Sequence, residues 1–100
     1  MALRHIVLMS FPDGCDDGFI AQMSDGVADL ARAVPDIRSA SWGRDVTGKG
    51  DNYHYALVLD FADRAAYERY RVHPAHQRFI ELFMRGRKIE KVRVQYELDH

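Results

Sequence analysis

A phenol and two imidazoles fall within the stretch Tyr70-Arg71-Val72-His73-Pro74-Ala75-His76, and a further imidazole, His5, stands far upstream. Imidazole has the side-chain pKa nearest neutrality, so a pocket that joins these groups can move protons. As a general base, His76 would take an acidic proton from carbon beside a carbonyl. Tyr70 would donate a hydrogen bond to the enolate oxygen that forms. The pairing suits intramolecular aldol or Claisen closure of a poly-β-ketone, the favoured reaction, and also proton removal from a cyanohydrin. The structural alternative is that buried histidines have found hydrogen-bond partners and serve packing alone.

Positioning these groups falls to a short series of elements. Arg4 to Phe11 reads as a strand, with His5, Val7, Met9 and Phe11 on one face and Ile6, Leu8 and Ser10 on the other. Pro12-Asp13-Gly14 ends it. Ile20, Met23, Val27, Leu30 and Val34 recur at helical spacing, Asp16 or Asp17 can cap that helix, and Pro35 stops it. Ile37 to Val46 reads as a second strand, with Gly43 as a bulge or bend. A loop over 47–52 leads to a third strand, Tyr53 to Phe61. Asp63 caps a short helix carrying Ala66, Tyr67 and Tyr70, and Pro74 opens another. In the latter His76, Phe79, Ile80 and Phe83 share one face. Gly86 ends it, and Ile89 to Leu98 forms the last strand.

The 100 residues, 47% hydrophobic and 29% charged, describe one globular domain spanning 1–100 and exclude a disordered tail. A formal net charge of −1 gives no global attraction to nucleic acid or to a membrane surface. The lone Cys15 sits among carboxylates that disfavour a thiolate, and a single cysteine fits a reducing compartment. The first apolar run is too short for a signal-peptide core or a membrane span, so the expected location is cytoplasmic.

The order of elements, β-α-β-β-α-α-β, is a ferredoxin-like α+β layout with the first and third strands in the middle of the sheet. The last strand alternates Val92, Val94 and Tyr96 with Lys91, Arg93 and Gln95, as an edge strand does. Helices can cover only one face of such a sheet. The other face stays apolar, and a symmetric homodimer that presses two sheets together would bury it at about 25 cal/mol per Å². The expected assembly is a dimeric α+β barrel.

His5-Ile6-Val7-Leu8, Ser41-Trp42-Gly43-Arg44-Asp45-Val46, Tyr70-x-x-His73-Pro74-Ala75-His76-x-x-Phe79 and the terminal Gln95-Tyr96 resemble the stress-responsive A/B barrel (Dabb) family along the whole chain. The resemblance implies a dimeric α+β barrel. Its members range from plant stress proteins without established chemistry to enzymes, among them a polyketide cyclase and a hydroxynitrile lyase. It also implies that His76 corresponds to the cyclase's acid–base histidine, Tyr70 to its assisting tyrosine and His5 to a pocket histidine, facing the barrel interior. Where the cyclase has aromatic pocket residues on its first helix this chain has Met23, Ser24 and Val27, and Arg87 stands near a tryptophan position.

The expected site therefore comprises His76, Tyr70 and His5 as catalytic groups. Val7, Met9, Met23, Val27, Tyr53, Tyr55, Phe79 and Phe83 would bind a small apolar or phenolic carbonyl ligand. No cofactor is implied. His73 and His76 have a spacing that admits two metal ligands, but no Cys, Asp or Glu completes a tetrahedral set, and His73 is expected to hold the turn before Pro74. Arg85, Arg87 and Lys88 read as a solvated helix end. Gly48-Lys49-Gly50 lacks the phosphate-loop pattern. Two functions follow: cofactor-free acid–base chemistry of the cyclase or lyase kind, or a non-enzymatic stress-response or ligand-binding protein.

Overall fold

Four strands and three helices carry out this pattern in the computed structural model, which describes residues 2–98. They are β1 (Leu3–Ser10), α1 (Asp17–Ala33), β2 (Ile37–Arg44), β3 (Tyr55–Phe61), α2 (Arg64–Arg71), α3 (Pro74–Phe83) and β4 (Glu90–Glu97). The antiparallel sheet has the order β2-β3-β1-β4, so the first and third strands are central, as the sequence requires.

The helix starts are fixed by side-chain acceptors. Asp16 accepts the Phe19 N–H at 2.7 Å, and Asp63 accepts that of Ala66 at 2.9 Å. His73 Nδ1 accepts the Ala75 N–H at 3.0 Å, with Pro74 in the first turn, where a missing N–H costs nothing. His73 is thus the cap of α3.

Two local expectations are corrected. The bulge in β2 lies between Ile37 and Ser39, which pair with the successive residues Phe61 and Asp60, and Gly43 pairs regularly with Ala56. The β2–β3 ladder also stops at Arg44 and Tyr55, short of Val46 and Tyr53. Beyond it the Asp45 carboxylate accepts bonds from Thr47 Oγ1 at 2.8 Å and Asn52 Nδ2 at 3.4 Å, folding those residues into a polar loop.

Parity along β1 divides the sheet into two unlike faces. Leu3, His5, Val7 and Met9 stand opposite Phe61, Leu59, Leu57 and Tyr55, and all eight are buried. This face lies under the helices and joins Met23, Val27, Leu30, Tyr70 and Phe79 in one core. The other face carries Ile6 and Leu8 beside Val58 and Ala56, with Val94 and Val92 on the edge strand. Among the described residues no helix covers it: Val92, Val94 and Tyr96 are 44%, 53% and 44% exposed. Arg4 and Asp60 cross that face in a two-point ion pair at 2.8 and 2.9 Å. Helix α3 meets α1 at Gly26, where a Cβ would stand 2.5 Å from Phe83 Cε2.

Candidate functional site

A cavity of about 120 Å³ lies between the helix-covered face of the sheet and the α2–α3 corner. Its floor is His5, Val7 and Met9 of β1 with Leu57 of β3. Its roof is Tyr67, Tyr70, His76, Phe79 and Ile80. The histidines and the tyrosine, scattered in sequence, meet here because β1 runs beneath the corner at which α2 hands over to α3.

His76 projects from the first turn of α3, and its Nδ1 lies 3.0 Å from the carbonyl oxygen of Arg71. A carbonyl can only accept, so Nδ1 carries the proton and the lone pair of the neutral ring is on Nε2. The Tyr70 and His76 rings are 4.4 Å apart, tilted by 38°. Burial lowers the pKa of His76, the bond to Arg71 partly opposes this, and the charges of Arg71 and Lys91 lower it further. The ring is therefore neutral near pH 7.

Tyr70 is buried, and burial raises its phenol well above the usual range, with Tyr67 adding to the effect. Among the described residues no buried side-chain polar atom lacks a partner. No protein group among the described residues bonds the Tyr70 hydroxyl, and Tyr70 lines the cavity, where the phenol stays a protonated donor.

His5 is tied by Nδ1 to Gln95 Nε2 of β4 at 2.8 Å and lies 5.1 Å from the Tyr67 ring. With Nδ1 accepting from the amide, the proton sits on Nε2. Burial, followed by the charges of Arg93 and His76, pushes its pKa down to about 4. All three groups are thus uncharged at neutral pH: one nitrogen base, one phenol and one imidazole N–H.

The structure brings together His5, Val7, Met9, Tyr70, His76 and Phe79 of the expected site and separates the other five. Met23 and Val27 are fully packed core on α1, which lies over β2, away from the cavity. Tyr55 is stacked on Trp42 at 5.1 Å and meets the edge of Phe11, toward the other end of β1. Tyr53 precedes β3 and is exposed. Phe83 lies against Phe79, Phe19 and Gly26 at the α1–α3 contact. A second correction concerns direction: His5 points beneath the helices of its own chain, not into a hollow between two sheets.

Gln95, Tyr67, Lys91 and Arg93 were not singled out as site residues, although the alternation of β4 put Lys91, Arg93 and Gln95 on one face. Only the β1–β4 register identifies that face as the one shared with His5. Among the described residues no three His, Cys, Asp or Glu side chains converge as metal ligands. Arg87 of the basic run lies 3.7 Å above the Phe19 ring, a cation–π contact.

Residues 3–94 match the family described as the stress-responsive A/B barrel domain. The stress-response A/B barrel domain-containing protein HS1 of Arabidopsis thaliana is 29% identical over 84 residues, covering 82% of this chain and 77% of that protein. Olivetolic acid cyclase of Cannabis sativa is 25% identical over 85 residues, covering 83% and 84%. A dimeric ferredoxin-like protein of unknown function from Thermobifida fusca superposes with a TM-score of 0.85 at 26% identity, covering 98% of this chain and 92% of its own. The chain belongs to the stress-responsive A/B barrel family.

Proposed function

We propose that this member of the family performs cofactor-free acid–base chemistry on a small carbonyl compound held in the cavity beneath α2 and α3. His76 Nε2 takes a proton from the carbon beside the carbonyl, and the electron pair of the broken C–H bond moves onto the carbonyl oxygen. Tyr70 donates a hydrogen bond to that oxygen, and His5 supplies a further N–H at the cavity floor. The enolate carbon then bonds to a second carbonyl carbon of the same molecule, whose oxygen becomes an alkoxide. In an aldol closure that oxygen takes the proton back from His76. In a Claisen closure it re-forms the carbonyl by expelling the substrate's own thiolate or alkoxide, which takes that proton. A lyase step would use the same base on a cyanohydrin's hydroxyl, the oxygen re-forming a carbonyl as the C–CN bond breaks and cyanide leaves with its electron pair. The observation that carries this reading is the Arg71 carbonyl on His76 Nδ1, which fixes the basic nitrogen as Nε2.

The size of the cavity bounds the substrate. About 120 Å³ is below the roughly 300–1,000 Å³ of pockets that enclose drug-sized ligands, and close to the ~150 Å³ that takes up benzene. One ring or a short chain fits, and any longer tail must run out past β4. The relation to olivetolic acid cyclase supports the reaction class.

The same proposal places the protein in the cytoplasm as a homodimer, its second copy covering the exposed face of Ile6, Leu8, Val92, Val94 and Tyr96. The dimeric Thermobifida protein supports this. Among the described residues no helix is long and apolar enough to cross a membrane. The second reading, a non-enzymatic stress-response or ligand-binding protein, is favoured by the likeness to HS1.

Deuterium uptake at the α-carbon of cyclohexanone, a neutral ring of suitable size, tests the chemistry. Wild-type protein is expected to accelerate it over buffer. His76→Ala should lose about 10²–10⁴-fold of any general-base contribution, and Tyr70→Phe about 10²-fold. Equal exchange in wild type and both variants removes the enzymatic reading and leaves the ligand-binding one.

A further inference from the structure

Three cations line the cavity, Arg71 of α2 and Lys91 and Arg93 of β4, and among the described residues no carboxylate lines it. The register explains their convergence. Lys91 stands opposite Met9 and Arg93 opposite Val7, so both leave the sheet on its helix face. Helix α1 lies over β2 and α2 over β2 and β3, and the exposed lining residues are Arg71, Lys91 and Arg93, so the mouth is on their side. Arg71, the last residue of α2, reaches the same mouth while bonding Glu68 at 3.0 Å. Among the described residues neither Lys91 nor Arg93 has a carboxylate within ion-pair distance. The chain as a whole is slightly acidic, with a formal net charge of −1, so this is a local concentration and not a sample of a basic surface.

A cleft of one sign with an apolar interior focuses its field on an entering counter-charge. We infer that the cavity selects a carbonyl compound bearing a carboxylate, whose ring or short carbon chain enters between Phe79, Leu57 and Val7 while its carboxylate stays at the mouth against Lys91 and Arg93. The guanidinium fork of Arg93 matches a carboxylate in two-point fashion. This rests on the cavity being a ligand site, as proposed above, and assigns its substrate class.

Benzoate and benzamide, equal in shape and unlike in charge, separate the two ideas. Their affinities are read from amide and imidazole NMR shifts of Val7, Tyr70 and His76 at low salt. Benzoate is expected to bind at least ten-fold more tightly, with the preference shrinking as salt is raised. The double variant K91Q/R93Q should bring the two affinities within two-fold of each other; both side chains are exposed, and amide spectra check the fold. Single K91Q and R93Q variants should each lose part of the preference. Equal binding of both probes in wild type, with shifts at the cavity, overturns the carboxylate assignment while the cavity stands. An undiminished preference in K91Q/R93Q overturns it too. No shift at Val7, Tyr70 or His76 with either probe overturns the assignment together with the reading of the cavity as a site.

Discussion

Lowering the pH from 7.5 to 5 should destabilise this protein through His5, the buried imidazole at the cavity floor. The imidazole is only 6% exposed, and its pKa falls from 6.5 to about 4 because burial and the nearby Arg93 disfavour its charged form. A folded value below the unfolded one means that the unfolded chain binds the proton first. Stability is therefore intact above pH 6.5 and declines as pH falls toward 4. At roughly 1 kcal/mol or a little more per pH unit, the full gap corresponds to about 3 kcal/mol, and the share lost by pH 5 is about 2 kcal/mol. His76 acts in the same direction. Asp36 and Asp60, whose values are held below 3.8 by Arg69 and Arg4, contribute in full above that value and lose their share only at more acid pH. The window from pH 7.5 to 5 thus reports the buried imidazoles.

Urea unfolding of wild type and His5→Gln at the two pH values measures the effect. The variant should lose about 2 kcal/mol less on acidification than wild type. Its absolute stability at pH 7.5 controls for repacking beside Gln95 and Tyr67. In parallel, NMR titration of the folded wild type should place the His5 midpoint within about one unit of 4. A midpoint above about 6, or an equal loss in both proteins, would refute the desolvation that this reasoning assigns to the cavity floor.

Two further expectations concern contacts outside the cavity. Val94→Arg puts a charge on the exposed apolar face, and in a symmetric dimer it enters twice, at several kcal/mol per desolvated ion. Sedimentation should then find a folded monomer where wild type is dimeric; a monomeric wild type, or a variant dimer of undiminished affinity, contradicts the pairing of sheets. Gly26→Ala gains about 1 kcal/mol of helix propensity but drives a methyl into Phe83, 2.5 Å away. Overpacking costs about 1–3 kcal/mol, so the net effect should be a modest loss of stability, seen as a lower Tm. An increase would mean that Phe83 swings aside freely.

The alternation of β1 and β3, the helical spacing of Met23, Val27 and Leu30, the cap at Asp63 and the first-turn Pro74 made the order of elements and the central strands readable from the chain. Those signals are local or periodic, and each has one physical solution. The likeness of the His-Pro-Ala-His block and its neighbours to the family added the expectation that His5, Tyr70 and His76 share a pocket. Less was legible about what else lines it. Tyr53 and Tyr55 alternate with the right parity, yet the Asp45-centred loop stops the ladder before Tyr53 and Trp42 stacks on Tyr55. Met23 and Val27 share the helical face of a binding residue and of a core residue alike, and only the placement of α1 over β2 makes them core.

By itself the sequence determined a four-stranded sheet with one covered and one bare apolar face, because side-chain parity and helix spacing are written into successive residues. It also supplied the imidazoles and the phenol. Only the tertiary structure decided that His5 looks under its own helices, that the Arg71 carbonyl leaves the lone pair of His76 on Nε2, and that Gln95 holds the ring of His5. It alone turned Lys91 and Arg93 from the polar half of an edge strand into the mouth of a cavity. Such features depend on which residues of distant strands stand side by side. Register across a sheet is set by the packing of the whole, not by any one segment.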